Sequence, residues 1–293
     1  MTSGILLIDK KSGISSGKCV YQARKSLGIK KIGHAGTLDP LATGLLPLLV
    51  GKATRVSDFL MADRKEYETL AYFGEKTDSQ DKTGNVIEKS SNIFDKKDLE
   101  KAIEENFLGE IFQTPPMYSA LKHKGQKLYE LARKGESVER KKRKIKIYNF
   151  EILDFNFPYA RFRIKCSKGT YIRALVNDLG DILKTFANVH ELRRIRVGEF
   201  EVKDALLFDD LENLDKEDIK SNLMPIDHAL LDFKKVVLDK RHLKHATNGM
   251  AIRKGLDKFL ENQNLRVYVE DDFIGIGRYS DGAVKLKKVF YEG

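Results

Sequence analysis

The stretch Gly33–Gly44, GHAGTLDPLATG, restricts the fold more than any other part of the chain. It crowds three glycines and Pro40 into twelve residues, so neither a helix nor a regular strand can run through it. The apolar LLPLLVG follows at once, which frames the irregular loop with core. Pro40 fixes the chain directly after Asp39, and glycines let a backbone approach a ligand closely. The carboxylate can therefore be held rigidly in a cleft, as a catalytic acid or nucleophile requires. An aspartate that merely organises a turn has the same local signature, and the loop alone leaves both readings open.

Around this loop, strand and helix patterns alternate. Gly4 to Asp9 is a short apolar run closed by a Lys/Ser/Gly turn, and Ser16 reads as the cap of a helix running to about Leu27. Tyr67 to Phe73 predicts a strand, GEKTDSQDKTG a polar loop, and Asp95 to Phe107 a capped helix with Leu99, Ile103 and Phe107 on one face. Gln126 to Lys134 predicts a short helix. Arg161 to Cys166 alternates cations with apolar groups, which demands a strand, and Tyr171 to Lys184 returns to helical spacing through Ile172, Leu175, Leu179 and Leu183. After a mixed acidic stretch from Asp209 to Asp232, Arg266–Glu270, Phe273–Gly277 and Val284–Lys288 predict short strands split by Asp/Gly turns. The expected fold is α+β, with mixed or antiparallel strands bearing helices, followed by a small β domain. At 293 residues the chain has room for two unequal domains.

Lys and Arg outnumber Asp and Glu by 53 to 43, and this basic balance favours an acidic partner such as nucleic acid. Arg140–Lys144 and the face bearing Arg161, Arg163 and Lys165 could track phosphates, or could be solvated strand edges. Cys19 and Cys166, far apart and outside any CxxC, suggest neither a disulfide framework nor zinc and fit a reducing compartment. The apolar run Ile5 to Ile8 is too short for a signal-peptide core, so a cytoplasmic protein without a membrane span is expected. Gly44 to Lys52 is not a phosphate loop, because six residues separate Gly44 from Gly51 and Ala53 stands where a hydroxyl belongs. His242 and His245 lack a third metal ligand, and TDSQDKTG lacks the spacing of a calcium loop.

GHAGTLDPLATG resembles the signature loop of the TruB family of pseudouridine synthases. Further matches follow in order at Lys65–Tyr67, Gly74 with Thr77-Asp78, Gln113–Lys122, Gly125–Arg133, Lys168–Arg173, Leu192–Arg194 and Leu223–Asp227. The resemblance spans about residues 4 to 230, and the tail resembles a PUA-type RNA-binding domain more loosely. Lys11 and Ser15 depart from the family's usual Pro and Thr, which touches the local turn and not the loop itself.

The resemblance implies a pseudouridine synthase fold over residues 1–232, with an RNA-binding thumb-like segment at about 122–143, and a PUA-like domain over 233–293 that holds the acceptor arm. It implies conversion of uridine 55 in the tRNA T loop to pseudouridine by a monomer, without metal, organic cofactor or protein partner. Breaking the bond from C1' to N1 and joining C1' to C5 calls for a carboxylate beside the sugar, with water excluded. That role falls to Asp39. A permanent cation must accompany it, and the motif match supplies Arg173. The base must be flipped out of its stack, at a cost of roughly a few kcal/mol, which aromatic surface can offset. By resemblance Tyr67 stacks on the flipped uracil and can assist proton removal at C5. His34 takes part in displacing the nucleotide, Leu192 lines the pocket, and Lys10 lies near it.

Overall fold

The computed structural model describes residues 2–62, 64–253 and 259–291. Its first strand β1 (Gly4–Lys10) leads through a turn into helix α1 (Ser16–Leu27), whose Cys19, Val20, Ala23 and Leu27 are buried. The cap is Ser15, one residue earlier than the sequence suggests: its side chain accepts from the Lys18 N–H. Ser16 is left with a different task, described below. β2 (Ile32–His34) and β3 (Thr43–Val50) pair antiparallel on either side of the glycine-rich loop, and seven of the eight residues of β3 are buried. A short helix α2 (Ser57–Ala62) then precedes β4 (Lys65–Phe73).

β4 alternates buried Lys65, Tyr67, Thr69, Ala71 and Phe73 with half-buried neighbours, the period of a strand that has one face in the core. The polar loop after it contains a small ribbon of β5 (Glu75–Thr77) and β6 (Val86–Lys89). Helix α3 (Lys96–Asn106) starts at a reciprocal capping box between Asp95 and Asp98. Beyond β7 (Gly109–Gln113) come β8 (Lys122–His123), β9 (Gln126–Lys127) and α4 (Leu128–Arg133). β10 (Arg143–Asn156) and β11 (Tyr159–Cys166) form a long hairpin, followed by α5 (Ile172–Ile182) and β12 (Ala187–Val197). The short β13 (Phe200–Glu201) and β14 (Leu206–Leu207) close this part of the chain.

These strands build one mixed sheet in the order β14-β1-β3-β12-β4-β11-β10-β7. β12 runs parallel to β3 only at Arg193–Thr43 and Arg194–Gly44, and antiparallel to β4 along its length. Beyond those two pairs β3 and β12 part, and the glycine-rich loop occupies the divergence. Helices α1, α3 and α5 cover one face through a core that includes Leu6, Leu48, Phe73, Phe162, Leu175 and Leu179.

On the other face the strict alternation of β11 exposes its cations. Arg163 meets Glu68 at 2.8 Å and Arg161 meets Glu191 at 3.0 Å, both across strands. Two of the three cations proposed to track phosphates are thus already paired with carboxylates, and they read as cross-strand ion pairs of a solvated sheet face.

A four-stranded sheet of β15 (Lys234–Leu238), β16 (Asn264–Val269), β17 (Asp272–Ser280) and β18 (Ala283–Val289) forms a separate small C-terminal β domain. Its first strand, not anticipated from sequence, runs parallel to β16. The domain docks on the back of β1 and β3, where Ile276 and Phe290 share a core with Ile5, Leu7, Leu45 and Leu49. Lys52 donates to the Phe290 and Tyr291 carbonyls, and Arg55 donates to Val289. No helix among the described residues is long and apolar enough to cross a membrane.

Replacing the cap through Ser15→Ala should lower the unfolding free energy by about 1 kcal/mol. Denaturant titration checks this, and an unchanged midpoint would show that the Ser15 cap does not contribute.

Candidate active site

Where β3 and β12 part, the loop, the start of α5 and residues 119–121 line a cavity of about 370 Å³. Asp39, Tyr67, Arg173, Leu192 and Arg194 all line it. The guanidinium of Arg173 lies at the first turn of α5 and is almost wholly buried, while the Asp39 carboxylate is 36% exposed toward the opening. Arg173 Nε donates to Asp39 Oδ2 at 2.9 Å. Its two remaining nitrogens donate to the Ser79 carbonyl at 2.6 Å and the Tyr118 carbonyl at 2.7 Å, and Asp81 Oδ2 stands 3.6 Å away. A buried cation is tolerated only when its donors are satisfied, and the planar fork of Arg173 meets three segments at once.

The loop that carries Asp39 is tied to the fold through its own backbone. Lys10, fully buried, donates to the carbonyls of Lys11, Ile14 and Pro40 at 3.0, 2.8 and 3.2 Å. It does not line the cavity. Burial pulls its ammonium down to about 8, with Cys19 and Asp39 opposing, so it remains charged at neutral pH. Arg194, also fully buried, donates to the Gly36 carbonyl at 3.1 Å and the Leu45 carbonyl at 2.8 Å, bracketing the loop from both ends. Gly44, at φ +98°, lies so close to β12 that a β-carbon would sit 2.3 Å from the Arg194 carbonyl oxygen. A glycine is obligatory there on both counts.

Tyr67 projects from β4 beneath the cavity. Burial pushes its phenol up, against the pull of the Arg194 guanidinium. Leu192 supplies apolar wall from β12. His34 ends β2, outside the cavity lining, with a buried Nδ1 that has no hydrogen-bond partner among the described residues. Burial first, then Arg194, lowers its pKa. Of the six residues singled out from sequence, the fold therefore brings Asp39, Tyr67, Arg173 and Leu192 into one cavity and leaves Lys10 and His34 out of its lining. Arg194 and Asp81 were missed as site residues. Arg194 lay inside a matched motif, two residues after Leu192 on the same face of β12, and that alternation is the signal that could have found it.

Comparisons with known proteins bear on family and fold. Residues 24–172 match the model for the N-terminal domain of the TruB family pseudouridylate synthases, and residues 173–231 match that for the tRNA pseudouridylate synthase B C-terminal domain. The chain belongs to the TruB family. It is 42% identical to the tRNA pseudouridine synthase B of Clostridium kluyveri, over 98% of this chain and 99% of that protein. It is 40% identical to that of Clostridium tetani, with the same coverage. Among solved structures, the crystal structure of a Cbf5-Nop10-Gar1 complex contains a chain that superposes with a TM-score of 0.75 at 25% identity, over 99% of this chain and 85% of that one. Like the other members, the protein is a pseudouridine synthase by family and by fold.

Two expectations follow. Gly44→Ala should abolish turnover and lower the melting temperature, because the added carbon collides with backbone of a central strand; an active, fully stable variant would show that the loop can shift away from β12. The lowered pKa of His34, together with that of His190, which burial also lowers, makes stability pH-dependent. Below about 6.5 the unfolded chain takes up protons that the native histidines refuse, so stability falls with pH until the folded values are reached. Thermal melts from about pH 7 to about pH 5 should show this loss. His34→Gln should flatten the slope, and an unchanged slope would remove His34 from the account.

Proposed function

We propose that the protein isomerises uridine 55 in the T loop of tRNA to pseudouridine, after flipping the base into the cavity at Asp39. The observation that carries this reading is a carboxylate facing an open cavity with a buried arginine bonded to it and an aromatic ring and a leucine beside it. The names and near full-length coverage of the relatives support tRNA as the substrate.

In the reaction the C1'–N1 bond breaks, the uracil turns, C1' joins C5, and the C5 proton is lost while N1 gains one. Asp39 attacks or stabilises the electron-poor centre as the glycosidic bond breaks. Arg173 aims the carboxylate through its bond from Nε to Oδ2. Tyr67 stacks against the uracil. Its raised pKa favours a neutral phenol, so stacking is the better supported role and proton removal at C5 the weaker one. Leu192 closes the apolar side of the pocket. His34 helps displace the nucleotide from the T loop, and Lys10 acts through the backbone carbonyl of Pro40.

We assign residues 1–232 to catalysis and 233–293 to a PUA-type domain that holds the acceptor arm. The separate second sheet and the family match ending at 231 support this division. The segment 122–143, rich in Lys and Arg, closes over the T arm, and the enzyme works as a cytoplasmic monomer without a protein partner.

The test is an unmodified tRNA transcript incubated with the purified protein, with pseudouridine mapped by carbodiimide-blocked primer extension. Signal is expected in the T loop at position 55. Asp39→Asn should keep tRNA binding and lose product. Product from that variant at the wild-type rate would remove Asp39 from the chemistry, and binding without product by the wild type would favour a non-catalytic RNA-binding protein on this scaffold.

A further inference from the structure

The contact between Asp39 and Arg173 joins residues 134 positions apart, and neither sits in a strand that could hold it in register. Both are preceded by irregular backbone. At each of these places one buried polar side chain grips a main-chain residue by both its N–H and its carbonyl.

Ser16, 2% exposed at the first turn of α1, donates through Oγ to the Leu38 carbonyl at 3.0 Å and accepts from the Leu38 N–H at 2.9 Å. Gln113, 2% exposed at the end of β7, donates through Nε2 to the Tyr171 carbonyl at 3.0 Å and accepts through Oε1 from the Tyr171 N–H at 2.9 Å. Each reproduces the pair of bonds that a neighbouring strand would otherwise supply. Leu38 directly precedes Asp39, and Tyr171 stands two residues before Arg173. Ser16 and Gln113 come from different elements, and neither lines the cavity.

Satisfying a buried amide needs only one partner for each atom, which water or main chain can provide. Here a single side chain satisfies both groups of one residue, which fixes the position of that peptide as well as its hydrogen bonding. Ser16 is free to do so because Ser15 takes the helix cap.

We propose that Ser16 and Gln113 are positioning residues for the reaction, one clamping the peptide that carries Asp39 and the other the peptide that leads to Arg173, so that carboxylate and guanidinium meet in the geometry the chemistry needs. The inference rests on the assignment of Asp39 and Arg173 above. A displacement of about 1 Å at a reacting group can cost on the order of a hundredfold in rate, so loss of either clamp should appear in the chemical step.

The experiment is single-turnover pseudouridine formation with saturating enzyme, alongside tRNA affinity by filter binding and the melting temperature. Ser16→Ala and Gln113→Met should each slow the single-turnover rate by about tenfold to a hundredfold while affinity stays within about twofold. Because both act on one contact, the double variant should be little slower than the slower single variant. An unchanged rate in either variant overturns the proposal, as does a double variant whose loss equals the product of the two. So does a rate loss matched by a loss of affinity, or one explained by the fraction unfolded at the assay temperature. Should Ser16→Ala fail to fold, Ser16→Cys, which keeps the shape and weakens both bonds, takes its place under the same criteria. Absence of pseudouridine with the wild-type protein would instead count against the functional assignment, so the two failures are distinguishable.

Discussion

The site depends on one ion pair, the bond from Arg173 to Asp39, and on the cost of placing that charge inside a fold. A guanidinium almost wholly removed from water is unfavourable by several kcal/mol unless its donors find partners. This one finds a carboxylate and two backbone carbonyls, contributed by the glycine-rich loop, the turn at Ser79 and the stretch after β7 at Tyr118. Burial of the cation therefore draws three segments of the chain together, and the cavity is the space left between them. The planar fork of the arginine aims a separate nitrogen at each of the three.

The sheet explains why the carboxylate lies where it does. β3 and β12 are parallel neighbours for two residue pairs and then separate, and beyond them β2 pairs with β3 at Leu48–Val50. Backbone groups in the glycine-rich loop are met partly by main chain, as where the Gly13 N–H donates to the Pro40 carbonyl, and partly by side chains. Lys10, Arg194, Ser12 and Ser16 each donate to a loop carbonyl. Three of these, Lys10, Arg194 and Ser16, are buried polar residues that partner the backbone of an irregular segment. The same logic accounts for Gly44, where the approach of β12 excludes any side chain.

The cationic faces divide by the same kind of argument. Arg161 and Arg163 are matched with Glu191 and Glu68 across the sheet, so they contribute little net field. Lys144, in the run after the thumb-like segment, pairs with Glu110, an exposed bridge of small worth. A formal charge of +10 over the whole chain therefore says that an acidic partner is favoured without saying which face meets it.

Much of this was legible in the sequence. Strict alternation at Arg161–Cys166, helical spacing from Ile172 to Leu183 and the capped start at Asp95 are local properties, and local sterics and hydrophobic periodicity decide them. The glycines and Pro40 likewise fix an irregular loop around Asp39 wherever the rest of the chain goes, and the ordered motif matches name Arg173, Tyr67 and Leu192 beside it. Tertiary structure alone decided the rest. Only folding could show that Lys10 and His34 lie outside the cavity lining, that Ser15 caps while Ser16 grips Leu38, and that the cations of β11 meet carboxylates from strands 30 and 95 positions away. Each of these depends on which backbone groups and charges lie opposite a side chain across the sheet, and strand register, set by the packing of the whole core, has no trace in the few residues on either side.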